Sequence, residues 1–261
     1  MTARIWLIGG TQESAQLVRM VAGQQISSAV SVTTEAARAL YPMLPSIHLR
    51  VGALDEAQAS RFIEQEKIAA ILDASHPYAV EISKLAIAMA QAHNLPYLRY
   101  ERPPLKAASH LEVDNIEALI GNDYLAGQRV LLTVGYRLLS RFEPWQGKAT
   151  LFARILPSQV ALESALEAGF TPDRLVALRP PLSAGLEKAL WQHWQISMVV
   201  TKASGAAGGE LVKQQVAQSL GVKLVTIRRP VVDYPHQTSR LDEAIAFCDR
   251  YCAPGRTLAE A

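Results

Sequence analysis

The stretch "ILDASHPYAV" sets Asp73, Ser75, His76 and Tyr78 directly after an apolar run. Imidazole titrates near neutral pH, so His76 in that place is a candidate proton donor or ligand contact. The plainer alternative is a histidine that fixes the turn before Pro77. A second stretch, "TKASGAAGGE", puts Lys202 and Ser204 ahead of Gly205, Gly208 and Gly209. The lysine precedes the glycines and no Gly-Lys-Ser/Thr follows, which excludes a Walker loop. An amide-lined turn with a lysine at its edge suits a carboxylate or phosphate; the competing reading is a surface loop.

Arginine meets proline at Arg102-Pro103, Arg179-Pro180 and Arg229-Pro230, each time just after an apolar run. Proline stops a strand there and leaves a guanidinium at its end. Such a group grips a carboxylate with two parallel hydrogen bonds. Together with Lys202, these arginines point to a ligand carrying several carboxylates. Without one, they are strand punctuation with solvated side chains.

Near the start, "IWLIGGTQES" is an apolar run, two glycines and the opening of a helix. Gly9 and Gly10 allow a ligand to approach the backbone, and the helix from Gln12 offers unpaired N–H groups to an anion. The usual dinucleotide fingerprint requires glycine at 11 and 14, where this chain has Thr11 and Ser14. A cofactor turn and a bare strand-to-helix turn both fit. In "VTTEAAR", Glu35 suits a ribose diol and Arg38 a 2′-phosphate, with the Thr33 and Thr34 hydroxyls serving either. NADH and NADPH both stay open.

These residues need a scaffold that brings strand ends together. Strand-like runs are "RIWLI", "SAVSVT", "AAILDA", "PYLRY", "RVLLTV", "TLFARIL", "RLVAL", "SMVVT" and "LVTIR". Helical periods fall between them, over Gln12–Ala22, Asp55–Gln65, Tyr78–Ala92, Ile116–Leu125, Gln159–Ala168, Ala184–Trp194, Gly209–Ser219 and Arg240–Tyr251. Several strands are apolar throughout, as in a parallel sheet covered by helices on both faces. The fold class is therefore α/β with mainly parallel sheets and right-handed crossovers. The span "RYERPPLKAASHLEVDN" reads as a domain crossing. It predicts one domain over 1–110 and a second over 111–261, with the boundary inside 101–128. The halves echo each other, "LIGGTQESAQLV" matching "VVTKASGAAGGELV".

The 261 residues are enough for a substantial core without metal or disulfide staples. A net charge of +2 is too balanced to argue for nucleic acid. Cys248 and Cys252 lie four apart in "FCDRYC", poor disulfide geometry and without zinc-ligand partners, so two reduced thiols and no metal site are expected. Signal-peptide regions and apolar runs of about 18 residues are both absent from the pattern, which predicts a soluble cytoplasmic protein without membrane association.

Taken in order, "LIGGTQES", "ILDASHPYA", "PYLRYERPP", "ALRPPLS", "TKASGAAGG" and "VTIRRP" resemble the precorrin-6A reductase family of cobalamin biosynthesis. The resemblance covers residues 5–230 and takes in the cobalt-precorrin-6A reductases. It implies two Rossmann-like domains with a ligand cleft between them, and NADH or NADPH as hydride donor to one ring double bond of a polycarboxylate tetrapyrrole. Gly9, Gly10, Thr11, Thr33, Thr34, Arg38 and Ser75 would then hold the cofactor. Lys202, Ser204, Gly205, Arg102, Arg179 and Arg229 would hold the macrocycle, with His76 as the catalytic group. Other cobalamin-pathway enzymes become candidate partners. The family's "DATHPFA" is here "DASHPYA", and its Lys-Asp-Ser-Gly is Lys-Ala-Ser-Gly, which removes any role for an acid at Ala203. The competing readings are a transferase on a nucleotide-linked substrate and a two-lobed binder of acidic metabolites.

Overall fold

Along β1 (Arg4–Ile8), alternate side chains leave for opposite faces of a sheet. Ile5 and Leu7 enter one apolar cluster, while Trp6 and Ile8 enter another, and all four are buried. A strand with helices on both faces must be apolar throughout, which is why β1 shows no polar alternation. The computed structural model describes residues 3–103, 105, 111–205 and 208–252.

Continuing from β1, the chain forms α1 (Gln12–Gly23), β2 (Ser28–Val32), α2 (Glu35–Arg38), β3 (Ile47–Val51) and α3 (Glu56–Glu66). Then come β4 (Ile68–Asp73), α4 (Val80–Ala92), β5 (Tyr97–Tyr100), β6 (Leu111–Val113) and α5 (Ile116–Ile120). The later elements are β7 (Arg129–Thr133), β8 (Thr150–Ile155), α6 (Gln159–Glu167), β9 (Leu175–Ala177) and α7 (Ala184–His193). The described chain finishes with β10 (Met198–Lys202), α8 (Glu210–Leu220), β11 (Lys223–Ile227), β12 (Gln237–Thr238) and α9 (Leu241–Cys252). Local signals set many boundaries. Asp55 and Gln58 form a reciprocal capping box at the start of α3, and Gly221 ends α8 in the left-handed region at φ 65°.

Two six-stranded sheets result, with strand orders β12-β5-β4-β1-β2-β3 and β6-β11-β10-β7-β8-β9. Every strand pairing among the described residues is parallel. The α/β class and its parallel sheets thus match the expectation. The five consecutive strands of each sheet share a pattern: β1-β2-β3 and β7-β8-β9 run outward from the middle, and β4-β5 and β10-β11 return on the other side. The remaining edge is taken by the last strand β12 in one sheet and the early strand β6 in the other. The chain reverses between β1 and β4 in one sheet and between β7 and β10 in the other. Open α/β sheets bind ligands at the carboxyl ends of strands flanking such a reversal.

This topology corrects the expected echo. The counterpart of "LIGGTQ" is the turn after β7, "TVGYR", and "TKASGAAGG" is the counterpart of the turn after β4, "DASHPYA". It also corrects the expected second domain. One unit comprises residues 1–103 and 231–261, the other residues 104–230. The chain comes back because β12 pairs with β5, and α9 buries Ala244, Ile245, Cys248 and Cys252 in the cluster that holds Ile5 and Leu7. Burying one isoleucine alone stabilises by roughly 1.5–3 kcal/mol. The span from Ile116 to Leu125 is not one helix either; α5 ends at Ile120, with Gly121 as its cap, and a 3-10 turn covers Asp123–Leu125. No helix among the described residues is long and apolar enough to cross a membrane.

Candidate active site

At the reversal of the first sheet, the turns after β1 and β4 lie side by side. Thr11 caps α1, its hydroxyl accepting from the Ser14 N–H, while the Ser14 side chain serves the Thr11 N–H in return. The same Thr11 hydroxyl donates to the Ala74 carbonyl at 3.3 Å and ties the two turns together. Gly9 and Gly10 have different duties. A Cβ on Gly9 would lie 2.2 Å from the Tyr41 hydroxyl oxygen, so this glycine makes room for Tyr41. That hydroxyl accepts from the Gly10 N–H at 2.6 Å and shares a hydrogen bond with Ser14 Oγ at 2.6 Å. Burial raises the Tyr41 pKa, with Ser14 and Gly10 pulling the other way. Gly10 has φ +112° and open space where a side chain would project. Gly9 is thus required by Tyr41, whereas Gly10 leaves open space. Tyr41 was missed because nothing near it in sequence marks it.

Below the His76 turn sits a sealed polar network. The Asp73 carboxylate accepts from the Ser75 N–H, Ser83 Oγ, Tyr97 Oη and Arg99 Nη1 at 2.6–3.0 Å. Arg99 also donates to Ser75 Oγ at 2.9 Å and, through Nε and Nη2, to Glu101. The Tyr234 ring lies beneath its guanidinium, 5.2 Å away. Burial opposes the Arg99 charge, but Asp73, Tyr234 and Glu101 outweigh it and raise the pKa. Burial, followed by the charge of Asp73, raises the Tyr97 pKa and keeps the phenol neutral. Above this base His76 is exposed, and its Nδ1 accepts from the Tyr78 N–H at 3.2 Å. In the neutral ring this contact leaves the proton on Nε2.

Thr33 and Thr34 are exposed just past the carboxyl end of β2, next to β1, and Arg38 is exposed at the end of the short helix α2 that follows. Thr34 caps α2 through its bond from the Ala37 N–H, and Arg38 reaches Glu35 at 3.5 Å. Arg102 belongs to this first unit, at the end of β5, and pairs with Glu13 of α1. Thr11, Ser75 and Arg102 line a space of about 10 Å³, room for one water at most. A far larger hollow of about 1000 Å³ lies by the start of β5, among Asn94, Tyr97, Phe247 and Tyr251. It is at the wrong end of the strands for the chemistry and holds none of the expected residues.

At the reversal of the second sheet, Lys202 closes β10 and its loop is heavily self-bonded. The Gly205 N–H donates to the Glu210 carboxylate at 2.7 Å, so this amide does not face outward, against the expectation of an open anion cradle. Ser204 is buried, and Ala206 and Ala207 lie outside the described residues. Arg229 donates from Nε to the Ala203 carbonyl at 2.8 Å, bracing the loop from β11. Behind it, the buried Lys213 donates to the Gly208 carbonyl at 3.2 Å, and buried Arg154 pairs with Glu187. Burial, then the charge of Arg137, lowers the Lys202 pKa to about 8. Arg179 is exposed beyond β9, three strands from β10, a lateral separation of about 14 Å at ordinary strand spacing. The second unit thus places Lys202 and Arg229 together and Arg179 apart.

The model of the family described as "Precorrin-6x reductase CbiJ/CobK" matches residues 4–249. The chain belongs to this precorrin-6x reductase family. It is 49% identical over 253 residues to a cobalt-precorrin-6A reductase of Synechocystis, covering 95% of this chain and 97% of the relative. A cobalt-precorrin-6A reductase of Salmonella typhimurium is 30% identical over 87% of each chain. A precorrin-6A reductase of Rhodococcus erythropolis is 29% identical, over 92% of this chain and 94% of the relative. The solved structure of a CobK precorrin-6A reductase superposes with a TM-score of 0.79 at 23% identity, covering 97% of this chain and all of that one. Membership in a reductase family makes the protein an oxidoreductase of cobalamin biosynthesis, as the motifs implied.

Proposed function

We propose that this protein reduces one ring double bond of cobalt-precorrin-6A with NADH or NADPH. The observation that supports the cobalt form is the 49% identity to the Synechocystis cobalt-precorrin-6A reductase; the other relatives of both forms lie together at 26–31%. A polycarboxylate tetrapyrrole is the partner, and a cytoplasmic location goes with this reading.

The dinucleotide belongs to the first sheet. Open space at Gly10, the amino end of α1 and the exposed Thr33, Thr34 and Arg38, which follow the neighbouring strand β2, fit a pyrophosphate followed by a ribose. When bound, the nicotinamide supplies hydride. Ser75 is fixed from below by Asp73 and Arg99, so the adjoining His76 turn is pre-set. His76 in its neutral form offers Nε2–H as a hydrogen-bond donor. A second proton on Nδ1 displaces the Tyr78 N–H and makes the ring an acid, able to protonate the reduced macrocycle.

The macrocycle belongs to the second sheet. Lys202 and Arg229 hold carboxylates at the reversal, and Arg179 takes one farther along the rim. Arg102, paired with Glu13, stands on the first unit and is the weakest of the expected substrate contacts. The test is anaerobic incubation with cobalt-loaded and metal-free substrate, following macrocycle absorbance and nucleotide consumption together. Stoichiometric consumption with the cobalt form supports the proposal; no consumption with either form sinks it.

A further inference from the structure

Arg50 is the next-to-last residue of β3, and its buried Nε finds no hydrogen-bond partner among the described residues. Buried N–H groups of folded proteins are nearly always paired, so an orphan of this kind points to a partner from outside the chain. The register shows where it stands. Arg50 lies opposite Ser31 in the β2–β3 ladder, and Ser31 accepts from Trp6 Nε1 at 2.8 Å. Arg50 therefore rises from the Trp6 face of the sheet, while Leu49 and Val51 pack on the other. His48 shares the face of Arg50. The carboxylate that meets it there, Glu66, is already engaged, 3.0 Å from His48 and 3.1 Å from Arg4.

Just past Arg50 the two strands end in an open corner. Val32 is opposite Val51, and the Gly52 N–H donates to the Val32 carbonyl at 2.9 Å, which sets Gly52 beside Thr33. Gly52 has φ +117° and nothing within 4 Å of the place a Cβ would take, and Thr33 is exposed. One strand thus ends in bare backbone and the other in a hydroxyl. The long apolar stem of Arg50 can carry its charged fork to that end. At this edge of a dinucleotide-binding sheet a carboxylate receives a ribose diol, whereas arginine receives a ribose 2′-phosphate. Thr33 stands where such a carboxylate would be. The next acid, Glu35, opens α2 with its carboxylate 3.5 Å from Arg38.

We propose that Arg50, with Thr33 and the bare Gly52 turn, forms the subsite for a nucleotide 2′-phosphate and makes NADPH the preferred donor. The subsite rests on the reading that places the dinucleotide on the first sheet, and adds to it a residue of β3 that selects between the two nucleotides. A guanidinium suits a phosphate because its planar fork donates two parallel hydrogen bonds to the oxygens.

The test uses the full chain as wild type, Arg50→Met and Arg50→Lys. Nicotinamide fluorescence reports binding of NADPH and of NADH, and calorimetry reports binding of adenosine 2′,5′-bisphosphate. Wild type should hold NADPH more tightly than NADH by about tenfold or more. Arg50→Met should weaken NADPH and the bisphosphate by about tenfold to hundredfold. Its NADH affinity should stay unchanged, which also shows that the variant is folded. Arg50→Lys should restore only part of the NADPH affinity. Equal wild-type affinities for the two nucleotides, equal losses of both in Arg50→Met, or no loss of either, overturn the subsite. Should Arg50→Met not fold, the comparison is read from Arg50→Lys, where an undiminished preference for NADPH overturns it. A preference for NADPH that depends on Arg50, in a protein that reduces no tetrapyrrole, leaves the subsite standing and removes the reductase reading alone. Tetrapyrrole reduction that runs equally well with NADH does the reverse.

Discussion

Arg99 donates to Asp73 at 2.9 Å with both side chains fully sealed from solvent. The pair braces the first sheet beneath His76, and Glu101 and Ser75 complete the acceptors of the guanidinium. Removing one member of a buried ion pair leaves an uncompensated charge, which costs about 3–5 kcal/mol. Arg99→Met should therefore lower the urea midpoint steeply, and Arg99→Lys should recover only part, since one ammonium cannot serve the same acceptors. A midpoint equal to wild type in Arg99→Met would show that the pair bears no strain of the fold.

Gly9 and Gly10 should separate by mechanism. Gly9→Ala drives a methyl group into the Tyr41 hydroxyl and ring, displacing the bonds to Gly10 and Ser14. Overpacking of this kind costs roughly 1–3 kcal/mol. Gly10→Ala meets no atom and is penalised through its positive φ alone, by about 1–2 kcal/mol. Denaturation of Tyr41→Phe alongside both variants checks the assignment: it should weaken the turn as Gly9→Ala does. Equal stability of Gly9→Ala and wild type would contradict the packing.

The fold was legible where burial imposes a pattern. All nine apolar runs quoted from the sequence became strands, because a strand covered on both faces must be apolar along its length. The missed strands are edge pieces. Ile47–Val51 carries His48 and Arg50, while Leu111–Val113 and Gln237–Thr238 are too short to show a period. Leu111–Val113 and Gln237–Thr238 are set by pairing with a neighbour far away in sequence. The return of residues 231–252 to the first unit was hidden for the same reason, since an amphipathic helix does not declare which sheet it covers. At the site, Gly-rich turns and Arg-Pro corners were visible. Tyr41 and Glu210 were not, because they act by filling space or taking an amide that the sequence leaves looking open.

Stability should rise from about pH 8 to about pH 9. Burial first, and the neighbouring Arg137 or Arg154 second, lower Lys202 and Lys213 to about 8 from 10.5. Above pH 8 the unfolded chain then holds more protons than the folded one, so the penalty of burying these ammonium groups is relieved as pH rises. Cys248 and Cys252 work in the opposite sense, since burial pushes both thiols up to about 12 from 9.0. Their share of stability is lost as pH climbs past the unfolded value near 9. Urea midpoints across this window test the balance, and a steady fall from pH 8 to 9 would contradict it. The same burial should keep both thiols unreactive toward a thiol reagent until the protein unfolds.

His76→Asn separates the two duties of that residue. The Asn carboxamide oxygen can accept from the Tyr78 N–H as Nδ1 does, so the turn should survive. It cannot become an acid. The maximal rate should fall by about 10²–10⁴-fold with little change in substrate affinity. A near-normal rate would reduce His76 to a turn residue and leave solvent as the proton source.

The division of labour between the two sheets is most directly tested by parallel titration of Arg38→Ala and Lys202→Ala with NADPH and with the tetrapyrrole substrate. Arg38 is the exposed last residue of α2, just after β2, and Lys202 is at the end of β10, in different units of the chain. Arg38→Ala should weaken NADPH and spare the tetrapyrrole. Lys202→Ala should weaken the tetrapyrrole by about tenfold to hundredfold and spare NADPH. The reverse pattern, with Lys202→Ala losing NADPH and keeping the tetrapyrrole, would place the nucleotide on the second sheet and contradict the account.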